Sequence, residues 1–233
     1  MPDRSEMYSA QPKHATFVTM GEITLNLPEF CRFCSFDRSF DRFLFARPEG
    51  IDEIGEGKAR PGFFRGVATV VTKLLNIVQP QRAFFGQKDG LQSIVVRRIV
   101  RELNIPTQIV VCPTARERDG LAMSSRNVYL SPEDRGAAPI LFASLTAARD
   151  AHSAGERDVA TLRRAVLSVL AREPRVKPQY VSLADTDTGA ELADGAKLAH
   201  SDAALLSIAV GVGDKGLRLI DNVILGEIKP TQH

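Results

Sequence analysis

Two short polar stretches of this 233-residue chain carry the side chains best suited to chemistry on a phosphorylated ligand. The first consists of Gly86, Gln87, Lys88 and Asp89, with Gln92 one helical turn later. Lys88 offers a positive charge for phosphate, and Asp89 can accept hydrogen bonds from ribose hydroxyls. A surface turn in which Asp89 caps a helix explains the same residues equally well, so this stretch alone leaves both interpretations open.

The second stretch is Met123, Ser124, Ser125 and Arg126. Two hydroxyls and a guanidinium in consecutive positions can donate several hydrogen bonds to a polyphosphate, and the arginine charge cannot be titrated away. A serine-rich loop before a helix is the alternative. The sequence has no P-loop and no Ser-His-Asp candidate, so phosphate chemistry by positioning and charge is what remains.

The elements that must position these stretches form a predicted strand-helix-strand unit. Apolar residues at helical spacing predict a helix that ends before Pro80, then a strand over 83–85 that ends at Gly86. A helix over 91–103 and a strand over 108–112 follow. The strands of such a unit are parallel, and ligands bind at their carboxyl ends. Both polar stretches are therefore expected at the same crevice.

Beyond residue 130 the pattern changes to helices followed by neighbouring strands. A helix is predicted to start at residue 131, with Ser131 as its N-cap and Pro132 as its first residue. A second helix is predicted over 159–170. Strands are predicted over 180–184, 203–210 and 217–223, the last two as a hairpin. The pattern predicts an α/β fold with a separate α+β unit, divided into an irregular segment 1–59, a nucleotide-binding part 60–130 and a C-terminal part 131–233.

Two motifs match chemical signatures, but their surroundings argue against the corresponding functions. Residues 211–216 read G-x-G-x-x-G, yet the following residues predict a strand where a dinucleotide site needs a helix, so a hairpin turn is favoured. Cys31 and Cys34 form a lone C-x-x-C without the further ligands of a structural zinc site. The segment between residues 30 and 45 is rich in phenylalanine. It has three open interpretations, which are a membrane-surface helix, a short core helix and sequence foreign to the fold.

The composition is that of an ordinary globular chain, with 44% hydrophobic and 25% charged residues and a net charge of +2. This near-neutral balance gives no general attraction to nucleic acid. No run of eighteen apolar residues and no signal-peptide pattern is present, so we expect a cytoplasmic protein that acts on small molecules.

Three longer sequence motifs resemble those of fungal-type pantothenate synthetases, a family also called pantoate-beta-alanine ligases. They are residues 60–73 (RPGFFRGVATVVTK), 85–89 (FGQKD) and 119–130 (DGLAMSSRNVYL), and the likeness runs from about Gly57 to Leu225. The resemblance implies that ATP and pantoate give pantoyl adenylate and pyrophosphate, after which beta-alanine displaces AMP to form pantothenate. It also implies a Rossmann-like nucleotide-binding domain with parallel strands, a small C-terminal α+β domain, a homodimer and Mg2+.

The resemblance also implies roles for individual residues. The catalytic contacts to the phosphates would come from Lys88, Ser124, Ser125 and Arg126. The full ATP site would comprise Gly86, Gln87, Lys88, Asp89, Ala115, Met123, Ser124, Ser125 and Arg126, with the backbone of Ala115 against adenine. Pantoate would be bound by Gln92 and Arg60.

The sequence departs from the family pattern near its start. The family has two histidines spaced H-x-G-H that contact the nucleotide, and this sequence contains no such motif. Residues 18–21 imitate a preceding family segment by coincidence, residues 24–49 have no family equivalent, and Phe63 replaces a histidine. Three hypotheses follow: an active ligase, a catalytically silent nucleotide-binding or dimerising relative, and an enzyme that adenylates another acid, which the matching Gln92 argues against.

Overall fold

The computed structural model describes residues 17–20, 23–26, 55–199 and 202–227. In chain order the strands there are β1 (Phe17–Met20), β2 (Ile23–Asn26), β3 (Arg82–Gly86), β4 (Gln108–Cys112), β5 (Val176–Asp185), β6 (Ala204–Val212) and β7 (Leu217–Leu225). The helices are α1 (Gly55–Ala59), α2 (Phe63–Val78), α3 (Gly90–Glu102), α4 (Pro132–Ala137), α5 (Ile140–Ser153) and α6 (Val159–Leu170).

The first sheet has the strand order β2-β1-β3-β4. Strands β3 and β4 are parallel and in register from Arg82 opposite Gln108 to Gly86 opposite Cys112, with α3 as their crossover. Helices α2 and α3 pack apolar faces against this pair, with Leu75 and Phe85 almost fully buried. The predicted strand-helix-strand unit is confirmed, because strand ends and helix faces fall where the apolar spacing placed them.

The segment before residue 60 is more regular than predicted. Strands β1 and β2 form an antiparallel pair, β1 meets β3 at Met20 opposite Ala83, and α1 precedes α2. Four-residue strands are too short for an alternating pattern to stand out in a sequence, which explains why they were missed. The phenylalanine-rich stretch and the C-x-x-C motif lie outside the described residues.

The second sheet is antiparallel, in the order β5-β6-β7, and its central strand β6 is buried along its whole length. Helices α5 and α6 cover one face with fully buried leucines such as Leu145 and Leu162. The turn between β6 and β7 places Gly213 and Gly216 at positive φ, 69° and 59°. This confirms the predicted hairpin, since glycine adopts that backbone conformation without steric cost.

The two sheets meet where α3 begins. Phe64, Leu91 and Ile94 pack with Leu205 of β6 in one buried cluster. At Gly90 an added Cβ would lie 2.7 Å from a methyl of the buried Leu205 side chain, so a larger residue there would have to displace that side chain. Within the described ranges, no helix has the length and apolar character needed to cross a membrane.

Candidate active site

A cleft lies at the carboxyl ends of β3 and β4, and the second sheet contributes one of its walls. Side chains from α1 to α3, the loop after β4 and strands β5 to β7 surround it. Its charged and polar lining residues are Glu56, Arg60, Lys88, Asp89, Gln92, Arg126, Tyr180, Ser207, Asp221 and Asn222. Parallel strands bring polar strand-end residues together at this edge, as the sequence predicted.

Lys88 joins the two predicted polar stretches. It lies on a 3-10 turn, Gln87–Asp89, that directly follows β3 at Gly86. Its ammonium donates a hydrogen bond to the carbonyl oxygen of Met123 at 2.9 Å. Burial lowers the pKa of Lys88, while the carboxylates of Asp89 and Asp221 oppose that shift. A phosphate group entering the cleft would add further negative charge beside this partly buried ammonium.

Asp89 ends the same turn and faces the cleft. Burial raises the pKa of its carboxyl group, and the nearby Lys88 ammonium only partly offsets this effect. Its side chain does not cap α3, which removes the capping role considered from the sequence. The carboxyl group is therefore placed to accept hydrogen bonds from a ligand rather than to stabilise the helix.

Replacing Asp89 with asparagine should stabilise the unliganded chain at neutral pH. When the pKa of a carboxyl group is higher in the folded than in the unfolded state, the protein becomes less stable as pH rises from the unfolded-state pKa to the folded-state pKa. We expect Asp89→Asn to exceed the wild type in free energy of unfolding at pH 7, and the difference to close below about pH 4, the ordinary pKa of aspartate. Denaturant unfolding across this range measures it, with exposed Asp214→Asn as control; a less stable variant at pH 7 would contradict it.

The second stretch surrounds a short 3-10 helix, Ser125–Tyr129. The Ser124 hydroxyl caps it by accepting from the backbone NH of Arg126 at 3.2 Å, and Ser124 also lines a small cavity beside Lys88. Arg126 and Ser125 are both exposed, and of the two only Arg126 lines the described cleft. Ala115 is exposed too, and its carbonyl accepts from the NH of Met123 at 2.9 Å, which ties the two ends of the loop together.

The two residues that the resemblance links to pantoate also border the cleft. Gln92 projects from the first turn of α3, and Arg60 follows α1. The Arg60 guanidinium lies over the ring of Phe63 at 3.9 Å, a cation-π contact made possible by the aromatic ring at that position. The structure thus brings Arg60, Gln92, Lys88 and Arg126 to one cleft.

Sequence reasoning missed an ionic network that forms one wall of the cleft. Glu56 of α1 accepts hydrogen bonds from Arg60 at 3.4 Å, from the Tyr180 hydroxyl at 3.3 Å and from Arg218 of β7. Burial raises the pKa of Tyr180, and the Glu56 carboxylate adds to this shift. These residues lie far apart in the sequence, so no local spacing could have linked them.

Asp221 and Asn222 of β7 were also missed. Asp221 receives two hydrogen bonds from the Arg116 guanidinium, at 2.6 and 3.0 Å, and the Asn222 amide contacts the turn that carries Lys88. Burial raises the pKa of Asp221, and Arg116 counters that shift. The available signal was two consecutive polar residues that follow the apolar pair Leu219 and Ile220 in the predicted strand.

Chemically, the cleft combines positive charge with hydrogen-bond donors. Lys88 and Arg126 can neutralise a polyphosphate, while Gln92 and Arg60 can bind a carboxylate or hydroxyl group. Such chemistry needs no protein nucleophile with a neighbouring base, because alignment and charge act on the substrates directly. Fold and cleft together define an α/β protein with a parallel strand pair flanked by helices and a small C-terminal α+β domain.

Comparison with known proteins gives the family. A family model described as Pantoate-beta-alanine ligase matches residues 1–224, so the chain belongs to this family. The matched range includes residues 1–56, which lie before the resemblance that begins near Gly57, and so includes residues 24–49, for which no family equivalent was predicted. The pantothenate synthetase of Chloroflexus aurantiacus is 56% identical over 174 residues, which cover 75% of this chain and 60% of that relative. The chain thus spans about 60% of the length of this curated relative.

Solved structures agree with this assignment. The crystal structure of pantothenate synthetase from Thermus thermophilus is 41% identical with a TM-score of 0.68, and the match covers 79% of this chain and 64% of that one. A pantoate-beta-alanine ligase from Francisella tularensis, complexed with beta-gamma ATP and beta-alanine, is 31% identical with a TM-score of 0.54, covering 78% of this chain and 58% of that one.

Proposed function

We propose that this chain condenses pantoate with beta-alanine to form pantothenate, using ATP and releasing AMP and pyrophosphate. The observation that carries the proposal is the contact of Lys88 with Met123, which brings the two phosphate-binding stretches together beside Gln92 and Arg126. Family membership supports this reaction, and the cleft supplies groups suited to ATP and pantoate.

The first step forms pantoyl adenylate. A carboxylate oxygen of pantoate attacks the α-phosphorus of ATP, a new oxygen-phosphorus bond forms, and the bond to the β-phosphate oxygen breaks to release pyrophosphate. Lys88, Ser124, Ser125 and Arg126 are proposed to neutralise the developing phosphate charge, with Arg60 and Gln92 holding pantoate. Alignment of the two substrates can supply about 7 to 11 kcal/mol at best.

The second step forms the amide. The free amine of beta-alanine attacks the acyl carbon of the adenylate, a carbon-nitrogen bond forms, and AMP leaves with the carboxylate oxygen that joined it. The beta-alanine ammonium loses one proton to solvent before this attack, and its nitrogen loses a second to solvent as the amide forms. We propose the ATP contacts as Gly86, Gln87, Lys88, Asp89, Ala115, Met123, Ser124, Ser125 and Arg126.

Mg2+ is part of the proposal only as a companion of the nucleotide. Among the residues that the structure describes, no three or more His, Cys, Asp or Glu side chains cluster to hold a metal ion. Mg2+ often binds through substrate phosphates with one or two carboxylates, so these residues do not build a separate cage for it. Bound there, it would supply further neutralisation of phosphate charge.

Further parts of the proposal rest on the resemblance and the sequence. We propose a homodimer that works in the cytoplasm, a division into parts near residues 59 and 130, and a relation to the fungal type. The sequence contains no H-x-G-H motif, so in this chain the pyrophosphate would be held by Lys88 and Arg126. The alternative function is that of a catalytically silent relative, which binds nucleotide or dimerises without turnover.

Pantoate-dependent exchange of labelled pyrophosphate into ATP tests the first step. The purified chain is incubated with ATP, Mg2+ and pantoate in the absence of beta-alanine. The proposal expects exchange that depends on pantoate and that other hydroxy acids support poorly. A folded preparation that binds ATP without exchange would replace the ligase by the silent relative, and equal exchange with another acid would indicate a different adenylating enzyme.

Replacing Gln92 with alanine should weaken pantoate binding specifically. Loss of its side-chain hydrogen bonds is expected to raise the KM for pantoate about 10-fold, since a hydrogen bond contributes about 0.5 to 1.5 kcal/mol. The KM for ATP should stay near its wild-type value. Initial rates of exchange measure both constants, with the exposed Gln81→Ala as the matched control; an equal rise in both constants would contradict the assigned role.

A further inference from the structure

Two consecutive residues of β7, Asp221 and Asn222, are the most buried polar residues beside the cleft. Asp221 is 2% exposed and Asn222 is 1% exposed. Burying polar side chains is costly unless their hydrogen-bonding groups are satisfied, and here the partners belong to the two loops that carry the phosphate-binding stretches. The C-terminal sheet therefore contacts the site through these two residues.

Asn222 holds the turn that carries Lys88. Its amide nitrogen donates to the carbonyl oxygens of Gln87 at 2.7 Å and Lys88 at 2.8 Å. Its amide oxygen accepts from the Gln87 side chain at 3.5 Å. Both amide hydrogens are thus used on adjacent backbone carbonyls, which fixes the orientation of the 3-10 turn.

Asp221 holds the loop that leads to the second stretch. Its carboxylate pairs with both terminal nitrogens of Arg116, and that guanidinium also donates to the carbonyl of Gly120 at 3.0 Å. The Arg116 guanidinium stacks on the ring of Phe142 at 3.9 Å. The backbone of Arg116 forms an antiparallel β-bridge with Ala122. The ion pair between Asp221 and Arg116 therefore also holds Ala122, the residue before Met123.

We propose that Asp221 and Asn222 are positioning residues that hold Lys88 and the Met123–Arg126 stretch in register from the C-terminal sheet. This inference rests on the proposed function. One strand thereby aligns groups from two separate loops, whose direct link is the hydrogen bond from Lys88 to Met123. A small displacement of either loop would separate charges that must act on one polyphosphate.

Asn222→Asp is the sharpest variant, because it keeps the shape and replaces the donor by a carboxylate facing two carbonyl oxygens. Pantoate-dependent exchange should fall about 100-fold, the size expected for a displacement near 1 Å. Activity relative to wild type should recover as pH is lowered, since the protonated side chain can again donate to one carbonyl. The control is Thr107→Val, which removes a buried hydrogen bond to Pro80 away from the cleft.

Asp221→Asn tests the other contact through the loop that Arg116 holds. The variant loses the carboxylate that pairs with Arg116, so the backbone amides of Gly120 and Met123, which are hydrogen-bonded within this loop, should exchange hydrogen faster than in the wild type. The control is Asp187→Asn, which removes an exposed ion pair with Arg101 of α3. Thermal unfolding shows that each variant is folded under the assay conditions.

The outcomes separate this inference from the proposed function. If the wild type shows no pyrophosphate exchange, the proposed function fails, while hydrogen exchange of the Gln87–Asp89 amides and of the Gly120 and Met123 amides still tests the positioning role. Faster amide exchange of the first set in Asn222→Asp and of the second set in Asp221→Asn supports it. Amide exchange like that of the wild type in both folded variants would overturn it.

Discussion

Lys88→Ala should reduce pantoate-dependent pyrophosphate exchange about 100- to 1,000-fold, the loss typical of removing one preorganised charge-stabilising donor. The ammonium is partly buried and contacts Met123, and no other lysine lines the described cleft. The variant also removes the ammonium that partly offsets the burial of Asp89, so its free energy of unfolding is measured beside the rate. Initial rates of exchange at saturating ATP and pantoate measure the effect.

Two further variants give this prediction its control. Lys73→Ala removes an exposed lysine from α2 and should leave the exchange rate unchanged. Lys88→Arg keeps the charge but changes its geometry, so it should recover only part of the lost rate. A Lys88→Ala variant that is folded and exchanges at the wild-type rate would show that the phosphate charge is neutralised elsewhere.

Arg116→Met should destabilise the chain by about 3 to 5 kcal/mol at pH 7, the cost of leaving a buried charge without its partner. The Asp221 side chain is 1% exposed, and Arg116 provides its guanidinium partner. Burial already raises the pKa of Asp221. Without Arg116 the pKa should rise further, so the destabilisation should shrink as pH falls and the carboxyl group becomes neutral.

The double variant Arg116→Met with Asp221→Asn is the internal control. Removing both charges should recover most of the lost free energy of unfolding, because no uncompensated carboxylate remains. The exposed pair of Arg101 and Asp187 offers the comparison, since breaking it should cost at most about 1 kcal/mol. Denaturant unfolding at several pH values gives all these quantities; equal losses in the single and double variants would contradict the role of the buried charge.

The parts of the fold with long periodic patterns were predictable from the sequence. Helix α6 and strand β4 have the predicted bounds, and β3 with its crossover α3 differs by about one residue at each end. These elements bury regular apolar faces, so composition and spacing suffice to locate them. The convergence of Lys88 with Met123–Arg126 followed from parallel topology, because adjacent parallel strands end at one edge.

The remaining features depend on tertiary contacts that leave little local signal. Glu56 and Tyr180 meet across 124 residues of sequence, and Asn222 reaches Lys88 across 134. The capping role considered for Asp89 is wrong, because its side chain makes no capping hydrogen bond to α3 and lines the cleft. Strands β1 and β2 escaped prediction because their pairing stabilises segments too short to be periodic.

The fate of oxygen in the pantoate carboxylate tests the central claim most directly. The purified chain is given ATP, Mg2+, beta-alanine and pantoate labelled with 18O in its carboxylate, and the products are analysed by mass spectrometry. The account predicts pantothenate together with AMP that carries one 18O atom, because the adenylate breaks between the acyl carbon and that oxygen. A folded chain that yields no labelled AMP, or that releases ADP and labelled phosphate instead, would contradict it.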